Sequence, residues 1–267
     1  MHDHMSIFEG SSPTSSSMEE LSPARAFKIV NGYLGWGDPA EKWIWFIGIE
    51  EADPWGKIEK GYPKEAQMNP LDRAKNQIKR FEERTQGNWY SCATTDEVYK
   101  PTRTPVFRNI AQIVCKFSAK EKDCKTYREK RLFREGCRVF QTNLFPLGKP
   151  KTTEWPDYYK QLFGYGKDDI RLYEEEVENT RFPEILRRWS EGEPQATICL
   201  GQDYVHKFKN LFGLPEQFNN LHPYILCDES RKILITQHFS SPHWNKGISE
   251  KLEVIAAKLA EWKLTLP

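Results

Sequence analysis

Three carboxylates, Glu50, Glu51 and Asp53, stand within four positions and are followed by Pro54 and Trp55. The proline fixes a turn and the indole can wall a pocket, so a carboxylate here is placed to orient or deprotonate water if burial or a neighbour tunes it. The plainer alternative is a set of solvated turn acids or helix caps. A second group lies far along the chain, where His238 is followed by Phe239, Ser240, Ser241 and Pro242 and then by His243, Trp244 and Asn245. A histidine in such a place can donate a hydrogen bond to an oxygen as negative charge develops on it, or can be structural. No H-x-x-x-H spacing or companion carboxylate pattern accompanies it, so no metal is expected. Asn143 is the third candidate, because one amide offers a donor and an acceptor to a planar base edge; the alternative is an asparagine that merely closes a strand.

These residues follow short apolar runs. Trp43 to Ile49 is continuous and hydrophobic, the pattern of a strand buried on both faces, and Cys137 to Asn143, Ala196 to Leu200 and Lys232 to Thr236 share it, with Tyr224 to Cys227 as an extra strand. Helical patterns lie between them over Pro70 to Thr85, Val106 to Phe117, Asp169 to Trp189, Asp203 to Phe212 and Ser249 to Trp262. Strands alternating with helices predict an α/β fold of three layers, α/β/α, around a central, mostly parallel, four-stranded sheet. In such sheets ligands bind outside the C-terminal strand ends, which is where all three candidates fall. A flexible, serine-rich tail is expected over residues 1–24 and a single domain over 25–267.

With 38% hydrophobic residues the chain can bury a core. No run approaches the roughly 20 apolar residues of a membrane span, nor does the start resemble a signal peptide, which points to a cytoplasmic protein with no membrane partner. The six cysteines form no C-x-x-C pair, which predicts free thiols without a zinc site or a disulfide framework. Net charge is only +1, yet Lys100 to Lys151 holds fourteen Lys and Arg against four acids, and Asp168 to Glu193 holds nine acids against four bases. This asymmetry fits one cationic face that meets phosphates and one acidic face turned away, or else solvated helix surfaces with no partner.

Ala52-Asp53-Pro54-Trp55, Thr142-Asn143 with Pro146 and Lys149, Ile198-Cys199-Leu200-Gly201 and His238-Phe239-Ser240-Ser241-Pro242 occur in the order of the motifs of the uracil-DNA glycosylase superfamily, which the chain resembles from about residue 43 to its end. The resemblance implies a monofunctional DNA N-glycosylase that needs no cofactor. It implies catalytic roles for Asp53 and His238, with Glu51 or Glu50 as alternative acids. Asn143 would read the base, with Trp55 and Phe145 beside it, and Ser240, Ser241, His243, Trp244, Asn245 and Lys149 would contact DNA. Trp55 replaces the usual tyrosine and Phe239 a proline. The superfamily's iron–sulfur cysteine spacing is absent, so no cluster is expected.

In this scheme the basic segment grips phosphates, His243 and Trp244 wedge the duplex, and one nucleotide turns into the pocket. Asp53 then favours a cationic sugar and guides water, His238 favours the departing base, and an abasic site remains. Long, aromatic-rich insertions at 57–98 and 149–169 point to a modified or bulky base, as in defence against foreign DNA. The expected partner is DNA, met by a monomer with no obligatory protein partner. The alternative from another class is a sensor of nucleic acid or nucleotide that keeps the pocket and lacks the chemistry.

Overall fold

The computed structural model describes residues 21–40, 43–50, 56, 67–85, 91–93, 104–117, 123–134, 136–149 and 154–264. Helix α1 (Pro23–Gly32) leads into β1 (Tyr33–Trp36) and β2 (Ile44–Glu50). Its N-cap, Ser22, accepts from the Arg25 amide, so this helix starts inside the stretch expected as a tail. Then come α2 (Pro70–Thr85), β3 (Ser91–Ala93), α3 (Pro105–Phe117), α4 (Cys124–Lys130) and β4 (Val139–Phe145). The rest comprises α5 (Tyr159–Phe163), α6 (Ile170–Gly192), β5 (Ala196–Leu200), α7 (Val205–Phe212), β6 (Asn219–His222), β7 (Ile225–Asp228), β8 (Ile233–Thr236), α8 (Pro242–Asn245) and α9 (Ile248–Glu261).

The strands form one mixed sheet in the order β3-β1-β4-β2-β5-β8-β7-β6. Four strands, β4, β2, β5 and β8, are neighbours and run parallel. On one flank β1 pairs antiparallel with β4 and parallel with β3, and on the other β7 and β6 add two antiparallel strands. The expectation of a four-stranded sheet is therefore corrected to eight strands of mixed direction. The extra ones are short or polar: β3 has three residues, and β6 reads Asn-Asn-Leu-His. The polar β6 leaves no hydrophobic run in the sequence, whereas β7, Ile225–Asp228, answers to the extra strand expected over Tyr224 to Cys227.

Period-two alternation along β2 sorts its side chains between two cores. Trp45, Ile47 and Ile49 face a layer built by α1, α2, α5, α6 and α7, which contributes Phe27, Ala74, Ile78, Tyr159, Tyr173, Val177 and Phe208. Ile44 and Phe46 face the layer of α3, α4, α8 and α9, where Ile110, Tyr127, Trp244, Leu252 and Ile255 pack. Both faces of the parallel strands are thus covered, which is why they read as unbroken apolar runs. Among the described residues no helix is long and apolar enough to cross a membrane.

Candidate functional site

The four parallel strands release their C-terminal ends at one edge of the sheet, and register shows what meets there. Asn143 is level with Gly48, and Phe145 with Glu50; Leu200 is level with Thr236, two residues before His238. Asn143 and the His238 loop thus stand at the two outer strands of the parallel block. The intervening β2 and β5 separate them by about 14 Å at the usual strand spacing. A ligand touching both must lie across the ends of β2 and β5.

Strand β4 continues two residues past Asn143, so that residue lies within the strand instead of closing it. Its side chain is buried. The amide oxygen accepts from Gln141 Nε2 at 3.2 Å, and the backbone carbonyl accepts from Arg181 Nε and Nη2 at 3.1 and 2.9 Å. Arg181, itself 2% exposed, also donates to the carbonyls of Asn31 and Tyr33 and so ties α6 to β1 and β4. A buried guanidinium that satisfies several carbonyls at once fixes backbone strongly, because each carbonyl left alone would cost about 1–3 kcal/mol. Nothing in the acidic sequence around Arg181 signals this role.

His238 is half-buried, and burial pushes its pKa below the ordinary imidazole value. The Ser240 backbone N–H donates to His238 Nδ1 at 3.3 Å, and Ser240 Oγ lies 2.7 Å from the same nitrogen. A backbone amide can only donate, so Nδ1 is the acceptor and the neutral ring carries its proton on Nε2. The loop thereby presents an uncharged N–H donor. Ser241 caps α8, accepting from the His243 amide at 3.2 Å and donating to Gln237 Oε1 at 3.1 Å. Asn245 Nδ2 donates back to the Ser241 carbonyl at 3.1 Å.

Three anchors hold this loop. Phe239 is fully buried against Trp244, with ring centroids 4.7 Å apart. Asn109, buried in α3, donates to the Phe239 carbonyl at 3.2 Å. Lys251 of α9, 2% exposed, places its ammonium on the carbonyls of His243, Trp244 and Lys246 and 4.6 Å from the Tyr224 ring centroid. Neither Asn109 nor Lys251 stands out in the sequence. A polar residue inside an amphipathic helix is the only trace each leaves.

The described acid of the first loop is Glu50, the last residue of β2. Its carboxylate pairs with Lys149 at 2.9 Å, with side chains 15% and 13% exposed. Burial raises the Glu50 pKa, and the Lys149 ammonium opposes that rise. Tyr173 closes the corner from α6, its hydroxyl accepting from the Leu147 amide at 3.1 Å. Lys207, paired with Glu174 and Glu178, sits 5.4 Å from the Phe145 ring.

Several expected site residues fall elsewhere. Glu51, Asp53 and Trp55 lie outside the described residues. Trp244 is 0% exposed and forms core, so it cannot wedge a duplex; the indole that the sequence suggests as a tip is the buried anchor of a short capped helix. Phe145 is 4% exposed and packed by Tyr173 and Phe182, which removes it as an open stacking platform. Lys149 is committed to Glu50 in place of a phosphate. His243 and Asn245 remain exposed beside the His238 loop, as does Ser240. Part of the basic segment lies elsewhere: residues 124–138 lead into the start of β4, and the Arg138 carbonyl accepts from the Ile44 amide at 3.3 Å, at the opposite edge of the sheet.

No family model matches the chain, and comparison with characterised proteins finds no relative.

Proposed function

We propose that the protein is a DNA glycosylase that turns a base, modified or bulky, out of the helix and hydrolyses its N-glycosidic bond. The observation that carries this reading is the neutral His238, whose Nδ1 is held by the Ser240 amide so that Nε2–H is the donor left at the end of a parallel strand. A departing base accumulates negative charge on an oxygen, and a fixed N–H donor stabilises that charge without reorganising. Being neutral, the ring gains more from the charge that develops than from the uncharged base. Asn143, at the other side of the block, would read the base edge through its amide. Water is guided in this reading by an acid of the first loop, with Asp53 in the leading place and Glu51 as its alternative. Flipping costs a few kcal/mol, least for a damaged or mispaired base, which itself contributes selectivity.

The test is a mass-spectrometric screen for free bases released from DNAs of varied base chemistry, run beside His238→Ala and Asn143→Asp. Release by the wild type, a fall of about 10²-fold in His238→Ala and an altered base profile in Asn143→Asp are expected. No release from any DNA would defeat the enzyme reading.

One observation favours a second reading, a base-binding sensor without chemistry. The described strand-end acid, Glu50, is neutralised by Lys149 and is not held out to water. Salt-sensitive DNA binding with no abasic sites formed would select it.

A further inference from the structure

One group of described cations lies apart from the candidate site. From Lys125 to Arg138 the sequence carries Lys125, Arg128, Lys130, Arg131, Arg134 and Arg138. Lys125, Lys130, Arg131 and Arg138 are exposed, and Arg128 and Arg134 are half-buried. Two described acids lie beside them. Asp123 caps α4, accepting from the amides of Lys125 and Thr126 at 3.1 Å and from the Thr126 hydroxyl at 2.6 Å, and Glu129 pairs with Arg128 at 3.3 Å. Nearby cations on α3 and α9 are neutralised, Lys116 by Glu253 and Lys258 by Glu229 and Glu261.

The scaffold beneath is well packed. Tyr127, Leu132 and Phe133 are buried, and the Tyr127 hydroxyl lies 3.3 Å from the Cys137 thiol. Apolar side chains point inward along one short helix and turn, while Lys125, Lys130, Arg131 and Arg138 are exposed. That turn feeds the N-terminal end of β4, whose seven residues span roughly 20 Å before the edge that carries Asn143 and His238 is reached.

We propose that these cations form a second nucleic-acid surface, which holds the phosphate backbone of duplex DNA at the sheet edge opposite the His238 loop. The partner is inferred from chemistry: Lys and Arg on a packed platform suit repeated phosphates, and the one described aromatic residue of α4, Tyr127, is buried and out of a base's reach. Cations of that kind position DNA without reading it. DNA held there is out of reach of the crevice, so a long molecule engages both edges, or two segments are held together. The inference rests on DNA being the partner and not on base release.

The experiment measures binding of the full chain to a short undamaged duplex across a range of salt, for the wild type and for the combined variant Lys125→Gln, Lys130→Gln, Arg131→Gln and Arg138→Gln. Every phosphate that is no longer neutralised reduces the slope of log K against log salt by about 0.9, so Lys125 and Lys130 alone give an expected fall of about two. If the fourfold variant misfolds, Lys125→Gln with Lys130→Gln should still lower the slope by about two. An unchanged slope in a folded variant overturns the inference, as does binding of the wild type to phosphatidylserine vesicles but not to DNA. Undamaged DNA needs no cleavage, so a protein that releases no base still reports on this surface. Base release with an unaltered slope would remove the surface and leave the enzyme reading standing.

Discussion

Asn143 and Gly48 are register partners across β4 and β2, and a Cβ built on Gly48 would stand 2.1 Å from Asn143 Oδ1. The glycine is the space in which the amide lies. Its neighbours in β2 are large and apolar, so a small residue in mid-strand marks a close approach.

Gly48→Ala must therefore displace the Asn143 amide or push β2 and β4 apart. We expect a loss of about 1–3 kcal/mol, the usual cost of overpacking a filled core, read from urea unfolding. If Asn143 reads a base, the released-base profile changes as well. Asn143→Ala in the Gly48→Ala background should restore most of the stability and none of the selectivity, which separates the two roles.

For His238 the sign follows from burial. Its pKa in the folded protein is lowered, so between that value and the ordinary one near 6.5 the unfolded chain binds a proton that the folded protein does not. The stability linked to the neutral ring is fully present above about 6.5 and is lost as pH falls toward the lowered folded pKa. Protonating Nδ1 also expels the Ser240 amide. If the protein excises a base, excision should decline over the same acid range, and His238→Gln, which does not titrate, should flatten the stability profile there. A profile unchanged by this substitution would show that the ring is not the titrating group.

The four parallel strands were legible because each is buried on both faces and therefore written as an unbroken apolar run, as in Ile44–Glu50 and Ala196–Leu200. Tyr33–Trp36, interrupted by Gly35, and the exposed Asn219–His222 carry no such mark. The position of His238 at a strand end was legible for the same reason. What the sequence concealed is burial. Trp244 and Phe145 have the same residue types whether they face a ligand or the core, and only the packing of α8 on α9 and of α6 on β4 decides. The destination of the cations at 124–138 was hidden too, since they reach the far edge by the direction in which β4 runs.

Lys251→Met removes an ammonium that serves three carbonyls of the turn at 243–246. Carbonyls left unpaired in a buried place cost about 1–3 kcal/mol each, although the turn can recover some of this by opening to water. We expect faster amide exchange over 242–247 and little change in the central strands. If the protein releases bases, release should fall through displacement of the His238 loop, with His238→Ala adding little on top. Full additivity of the two losses would separate Lys251 from the loop.

Glu50 and Lys149 are 13–15% exposed, so each depends on the other more than a surface pair does. Lys149→Met leaves a largely buried carboxylate whose pKa, already raised by burial, loses its opposing cation and rises further. A carboxyl whose folded pKa lies above its unfolded value binds more protons when folded. Stability of the variant should therefore be highest in acid and fall as pH rises through the unfolded value near 4.3 toward the raised folded one. At neutral pH a loss of up to about 3 kcal/mol is expected, because removing one member of a buried pair strands the other. Glu50→Gln together with Lys149→Met should recover most of it, since both charges are then gone. If Glu50 also guides water, the double variant will be stable and inactive; if Asp53 or Glu51 does so, it will be stable and active.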